Sequence, residues 1–424
     1  MLIEFRVRNF LSFRDEEALS LVAGSDTSLP SNVARPDSYR LLRTVAVYGA
    51  NASGKSNLVK AVSYMRRFVK GSAGMEGEQL FGGFRPFALD AKCAEEPTLF
   101  EASFLSDGTR YQYGFTLLQG EVREEWLIAY PRGRAQRWFD RGTDGRTGEP
   151  TWKWGASFKG ERTRLAGLTR KNALFLSVAA KFNHLQATPV YEWFDKYLRT
   201  VGAGERLYPV TADVLAREAL PEHLHTWAKG EILALLADAD LGITDVRVKR
   251  RRRRAEGISV GAVLTAKDFK EPPFDVELVH TNAETGYEVP LRLPEESDGT
   301  KRIFELAGPW LDAMARGYTV FVDELETHLH PLLTRKLVAW FQHPETISRG
   351  AQLVFATHDT TLLDPELLRR DQVWFTEKDR AGATHLYSLQ DYKKHRARKG
   401  EALQKGYLSG RYGAIPVLGA FDIK

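Results

Sequence analysis

Gly49-Ala50-Asn51-Ala52-Ser53-Gly54-Lys55-Ser56 fits the pattern G-x-x-x-x-G-K-[ST] at every fixed position. An apolar, β-branched run at 44–48 precedes it and a helix-like run over 57–69 follows it. That order predicts a buried strand, a tight loop and a helix, and so an α/β sheet around it. The glycines let backbone N–H groups turn inward around phosphate oxygens, and the helix N-terminus adds positive potential. The lysine reaches the β/γ-phosphates and the serine hydroxyl can ligate Mg²⁺. Gly49, Asn51, Ser53, Gly54, Lys55, Ser56 and Asn57 therefore form the predicted nucleotide-binding set, with Lys55 also acting on the transferred phosphate. A Gly/Ser-rich surface loop would leave the strand–loop–helix order unexplained.

The remainder of the chain is ordinary soluble protein in composition, with 43% hydrophobic and 27% charged residues over 424 positions. No apolar stretch approaches the ~18–20 residues of a membrane span. The N-terminal residues alternate like a strand rather than a signal peptide, and the single cysteine, Cys93, can form neither an internal disulfide nor a Cys-rich zinc site. A reducing cytoplasm fits both. The net charge of +5 is mild, but Lys249 to Arg254 is a run of six cations and a second basic group spans 393–399. Such runs are either solvated element ends or contacts to a DNA or RNA backbone, and neither has interleaved aromatics for base stacking.

Residues 1 to about 155 read mostly as strands, among them 98–104 and 111–117 with the turn Asp107-Gly108 between them. Trp138, Trp152 and Trp154 read as packing residues. Helical periods appear over 173–182, 190–198 and 231–237, and strands return at 243–248, 258–265, 274–280 and 287–293. After Pro294 helix and buried strand alternate.

A phosphate loop needs a carboxylate for Mg²⁺ and a group to position water. The buried-strand run at 318–322 ends in Asp323-Glu324, which supplies both: Asp323 for the metal and Glu324 to accept the proton of the attacking water. Glu296-Ser297-Asp298-Gly299-Thr300 opens a helix over 302–315, so Ser297 and Gly299 can offer hydroxyl and N–H donors to an anion. A further buried run at 352–356 ends in Thr357-His358, where the histidine can donate to a γ-phosphate. His328 and His330 lack a nearby third metal ligand, and Pro331 reads as a helix start.

Together these motifs resemble the ABC-type ATPase heads of the SMC, RecF and OLD class. Arg8-Asn9-Phe10-Leu11-Ser12-Phe13 is similar to their opening strand–turn and 49–57 to their Walker A. Ser297-Asp298-Gly299-Thr300 is similar to a shortened signature, Asp323-Glu324 to Walker B, 325–330 to the D-loop and His358 to the switch histidine. Gln112 and Gln119 are the candidates for a Q-loop glutamine. The stretches 239–243, 370–379 and 410–416 resemble the RloA/AriA-like branch of prokaryotic phage-defence ATPases.

The resemblance implies an α/β, two-lobed ABC-type P-loop ATPase head with a helical insertion. A β-rich N-terminal lobe with Walker A would occupy 1–158, the insertion 159–240, and the α/β lobe with the other motifs 241–424. It implies ATP and Mg²⁺ as cofactors and a homodimer through the ATP sites, open to higher assembly, with Ser297 and Gly299 acting in trans. It also implies a sensor or regulator of an effector in anti-phage defence. The stretch after His358 is short for a nuclease domain, so a nuclease effector is expected on a separate chain. The alternative is a RecF-like repair or recombination ATPase that binds DNA through Lys249 to Arg254.

Overall fold

The computed structural model describes residues 1–75, 81–202, 207–216, 222–239, 242–250, 274–343, 350–392 and 402–416. The chain divides into two compact units. One comprises Met1–Ala203, Arg316–Leu325 and Val338–Lys424, and the other Gly204–Ala315 and Glu326–Leu337.

The first unit begins with β1 (Leu2–Arg8), β2 (Glu17–Ser20), the short pair β3 (Val33–Ala34) and β4 (Leu41–Leu42), then β5 (Thr44–Tyr48) and α1 (Lys55–Gly71). A meander follows: β6 (Thr98–Ser106), β7 (Thr109–Leu118), β8 (Glu121–Tyr130), β9 (Gln136–Thr143) and β10 (Pro150–Trp154). Three short helices, α2 (Arg162–Gly167), α3 (Phe175–Lys181) and α4 (Ala187–Glu192), lead to β11 (Leu198–Val201).

The second unit holds α5 (Tyr208–Ala216), α6 (Glu222–Ala239), β12 (Ile243–Arg250), β13 (Phe274–Thr281), β14 (Glu288–Arg292) and α7 (Asp298–Arg316). After α7 come β15 (Thr319–Val322), α8 (Pro331–Trp340, the second unit as far as Leu337), β16 (Gln352–Ala356), β17 (Val373–Lys378), β18 (Thr384–Ser388) and α9 (Leu403–Leu408).

Two large sheets build the first unit, beside the small pair β3–β4. The antiparallel one has the order β10-β9-β8-β7-β6-β1-β2, and the other has the order β11-β15-β16-β5-β17-β18, parallel except for β18. Helix α1 is apolar on both sides for this reason. Tyr64 stacks on Phe100 of the antiparallel sheet at 5.2 Å, and Phe68 meets Phe115 at 5.4 Å. The same helix also packs on β11, β15 and β16. Every residue of β5 is buried, as a parallel strand covered on both faces requires.

At the amino end of the parallel sheet, buried amides seal the strand starts. Gln352 donates to the carbonyls of Leu2 and Leu42, both at 3.0 Å, and accepts from Leu2 N and Thr319 Oγ1. Gln372 donates to Thr44 O at 2.8 Å and accepts from Asn32.

The helix predicted over 190–198 is interrupted. It becomes α4 and a π-helical turn, Trp193–Tyr197, and the chain turns extended at Leu198, because β11 pairs in parallel with β15. Trp193 is buried in that turn, stacked on Phe104 at 3.8 Å. Trp138 is buried, whereas Trp152 and Trp154 stack on each other and pack against the core from its margin. The strand expected over 258–265 lies outside the described residues.

In the second unit β12, β13 and β14 form an antiparallel sheet. Helix α7 starts at Asp298, four residues before the sequence expectation, and contains Pro309. Proline lacks the N–H that would bond the carbonyl of Glu305. The Thr211 hydroxyl of α5 inserts beside this break, accepting from Gly308 N at 3.0 Å and donating at 2.6 Å to Phe304 O, with Glu305 O 3.3 Å away.

Candidate nucleotide site

The register of the parallel sheet sets the site. β16 lies between β5 and β15, with Ala356 opposite Val47 and Phe355 opposite Val322. The carboxyl ends of these three strands are therefore level. The phosphate-loop motif, the Asp-Glu pair and the Thr-His turn leave the sheet side by side, where open α/β sheets bind ligands.

The loop closes tightly. Gly54 has φ +120°, a conformation that L side chains rarely adopt. Lys55 opens α1 and is 6% exposed, and its ammonium donates to the carbonyls of Gly49 at 2.8 Å and Ala50 at 3.0 Å. A buried cation held inside the loop by its own carbonyls is matched to an incoming anion. Asn51 and Ala52 form the exposed tip.

Ser56 donates at 3.1 Å to Asp323 Oδ1. Two motifs 267 positions apart thus meet at one point. Asp323 is buried at the end of β15, and its N–H donates to Val201 O at 2.9 Å. Burial pushes its carboxyl above the ordinary value of 3.8. The Ser56 bond opposes that shift, Glu324 adds to it, and Lys60 and Lys55 oppose it more weakly. Glu324 has φ +52°. This left-handed residue breaks the strand directly after Asp323, so the two adjacent acids leave the sheet differently. Leu325 N–H returns to Ala356 O at 3.2 Å.

His358 is exposed at the end of β16. Its turn is fixed on both sides. Thr357 N–H donates to Val47 O at 3.1 Å, Asp359 N–H to Thr357 Oγ1 at 2.9 Å, and the Tyr48 hydroxyl to Asp359 O at 3.0 Å.

Two predicted binding residues use their side chains elsewhere. Ser53 Oγ is 2.6 Å from Thr376 Oγ1, and Asn57 Nδ2 donates at 2.8 Å to Ser12 Oγ. Gln112 lies within the antiparallel sheet, donating to Glu101 and accepting from Tyr130, and Gln119 sits in the β7–β8 turn with φ +51°. Sequence spacing gave no hint of Thr376 or Thr384 as neighbours of the loop.

Ser297 and Gly299 belong to the second unit. Ser297 caps α7, its hydroxyl accepting from Thr300 N at 3.1 Å and its carbonyl from Lys301 N at 2.9 Å. Gly299 lies against the His328 carbonyl, close enough that a Cβ would fall 3.1 Å from it. The preceding Glu296 is buried and bonded to His280 of β13 at 2.8 Å. Of the basic run, Lys249 and Arg250 end β12, and Arg251 to Arg254 lie outside the described residues. No helix among the described residues is long and apolar enough to cross a membrane.

A family described as "AAA domain, putative AbiEii toxin, Type IV TA system" matches residues 45–364. No curated protein matches the chain. Among solved structures, similar chains include an SMC head bound to the C-winged helix domain of ScpA, with 13% identity, 91% of this chain and 97% of that one covered, and a TM-score of 0.44. The SMC head domain of Thermotoga maritima has 14% identity, coverage of 91% and 98%, and a TM-score of 0.38. An Smc head with an extended coiled coil, bound to the C-terminal domain of ScpA from Pyrococcus furiosus, has 13% identity, coverage of 97% and 98%, and a TM-score of 0.41.

Proposed function

The chain belongs to this AAA-domain family of P-loop ATPases, and from that premise we propose an ATP-driven homodimer that regulates a separately encoded effector, a nuclease, in anti-phage defence. The observation that carries the ATPase reading is the 3.1 Å hydrogen bond from Ser56 to Asp323. It gives one metal locus two oxygen donors from distant parts of the chain. Bound Mg²⁺ would neutralise charge on the phosphate oxygens.

The chain's own residues divide the remaining work. Loop N–H groups from Gly54 to Ser56 hold phosphate, and Lys55 exchanges its carbonyl partners for phosphate oxygens. Glu324 takes the proton of the attacking water, and His358 donates to the γ-phosphate. Ser297 and Gly299 serve the partner subunit's nucleotide, so binding closes the dimer and hydrolysis reopens it. The family description names a putative toxin of a toxin–antitoxin system, and that wording supports a regulated effector as the output.

Two substitutions test the chemistry. Lys55→Ala is expected to abolish ATP binding. Glu324→Gln is expected to retain ATP while turnover falls about 10²–10⁴-fold, the usual worth of a general base. Unchanged affinity in the first would remove the loop from the site, and wild-type turnover in the second would remove Glu324 from its role. The defence role is tested by phage challenge of cells carrying the chain with its neighbouring genes. Protection that survives Lys55→Ala would sink it.

A further inference from the structure

We propose that Thr376 of β17 and Thr384 of β18 are positioning residues for the phosphate loop, orienting its peptide planes from behind without touching the nucleotide. The proposal rests on reading the loop as the ATP site.

β17 runs parallel to β5, with Phe375 opposite Tyr48. Thr376 is therefore level with Gly49, where the loop begins. Its Oγ1 donates to Tyr48 O at 3.3 Å and is 2.6 Å from Ser53 Oγ. Thr384 stands on the antiparallel neighbour β18. Its Oγ1 is 2.8 Å from the Ser53 carbonyl oxygen and 2.8 Å from Ser12 Oγ, and its N–H donates to Ser12 O at 2.7 Å. A hydroxyl has one proton and two lone pairs, so each threonine can make both of its bonds. Both threonines are fully buried and Ser53 nearly so. A Cβ on Gly49 would collide with Thr376, and one on Gly54 with Thr384. The two side chains thus press on both fixed glycines of the motif.

The peptide bond supplies the mechanism. In a planar trans peptide the C=O and the following N–H point in opposite directions. Holding the Ser53 carbonyl outward with Thr384 turns the Gly54 N–H inward. Thr376 holds the Tyr48 carbonyl and the Ser53 hydroxyl, which fixes where the loop begins and where it closes. The Gly54 donor is thus oriented before a phosphate arrives, and a preorganised donor costs nothing to arrange on binding. Ser12 and Asn57 extend the chain of contacts to the first turn of α1. This gives Asn57 a role in the scaffold of the loop.

The test uses the full chain. Thr384→Val keeps the shape and deletes the hydroxyl, and Thr384→Ser keeps the hydroxyl and deletes a methyl. A fluorescent ATP analogue reads affinity, steady-state kinetics read KM and kcat, and thermal melting reads folding. Thr384→Val is expected to weaken ATP binding about ten- to hundredfold, the scale of supporting residues behind a ligand site. Thr384→Ser is expected to restore affinity close to wild type. Wild-type affinity in Thr384→Val overturns the proposal. So does a loss that Thr384→Ser shares, since packing would then be the cause. Should Thr384→Val not fold, Thr384→Ala against Thr384→Ser makes the same comparison, and equal affinities overturn it. Lys55→Ala is the control: if it leaves affinity unchanged, the ATP reading of the loop fails, which is a different outcome from a silent Thr384→Val.

Discussion

Glu125 is an acid with no solvent exposure, and burial pushes its carboxyl above the ordinary value while Arg141 and its hydrogen-bond donors oppose that shift. Its carboxylate accepts from the N–H groups of Phe175 at 2.7 Å and Leu176 at 2.9 Å, the first turn of α3, and from the Tyr113 hydroxyl at 2.9 Å. Arg141 stands 3.9 Å away and donates to the carbonyls of Ala173, Arg170 and Lys171. One residue thus satisfies a helix start and anchors the helical layer to the antiparallel sheet. Removing it strands a buried guanidinium and two orphan N–H groups. Glu125→Ala is expected to lower stability by about 3–5 kcal/mol, the cost of breaking a buried pair, read by urea denaturation. A variant as stable as wild type would show that the layers hold without it. Glu124-Glu125 in the sequence does not distinguish the two acids, because strand alternation says which faces differ but not which face another layer will cover. That Ser56 and Asp323 meet was legible, since the spacing of each motif from its strand end is itself the signal.

At the scale of elements, the strand before the loop and the strand before Asp323 were both readable as buried apolar runs. Their order in the sheet was not. That β16 intervenes between them follows from pairing across several hundred residues, and pairing is what brings His358 to the same edge. The edge strand β18 shows how an element is held by charge. His385 Nδ1 is 2.9 Å from Glu17 Oε1, its Nε2 is 3.4 Å from Asp379 Oδ2, and Glu17 also accepts from Leu386 N. Burial pulls the His385 pKa down, but the bonds to Glu17 and Asp379 outweigh it, so the imidazole titrates above its ordinary 6.5. A histidine with a raised folded pKa contributes stability that is full below the unfolded value and lost as pH rises through the folded one. The melting temperature of wild type should therefore exceed that of His385→Gln most at pH below 6.5, with the gap closing as pH climbs. A gap independent of pH would contradict the charged pairing.

For the whole molecule, the phosphate loop and Asp323-Glu324 belong to one compact unit, and Ser297 and Gly299 to the other. Mixing chains that carry Lys55→Ala with chains that carry Ser297→Arg is expected to recover part of the ATPase activity lost by each alone, because one composite site in the mixed dimer stays intact. No recovery at any ratio would argue against sharing of the site between subunits.

The sequence by itself determined the strand–loop–helix order around the phosphate-loop motif, the acidic pair at the end of a buried strand and the expectation of a parallel sheet, because each depends on residues within a few positions of one another. Only the tertiary structure decided the order of strands, the split of the helix over 190–198 and the burial of Glu125. It also decided that Thr376 and Thr384 stand behind the loop. Those depend on which distant strands pair and which faces are covered, and the free energy that selects them is shared across the whole core rather than carried by any local pattern.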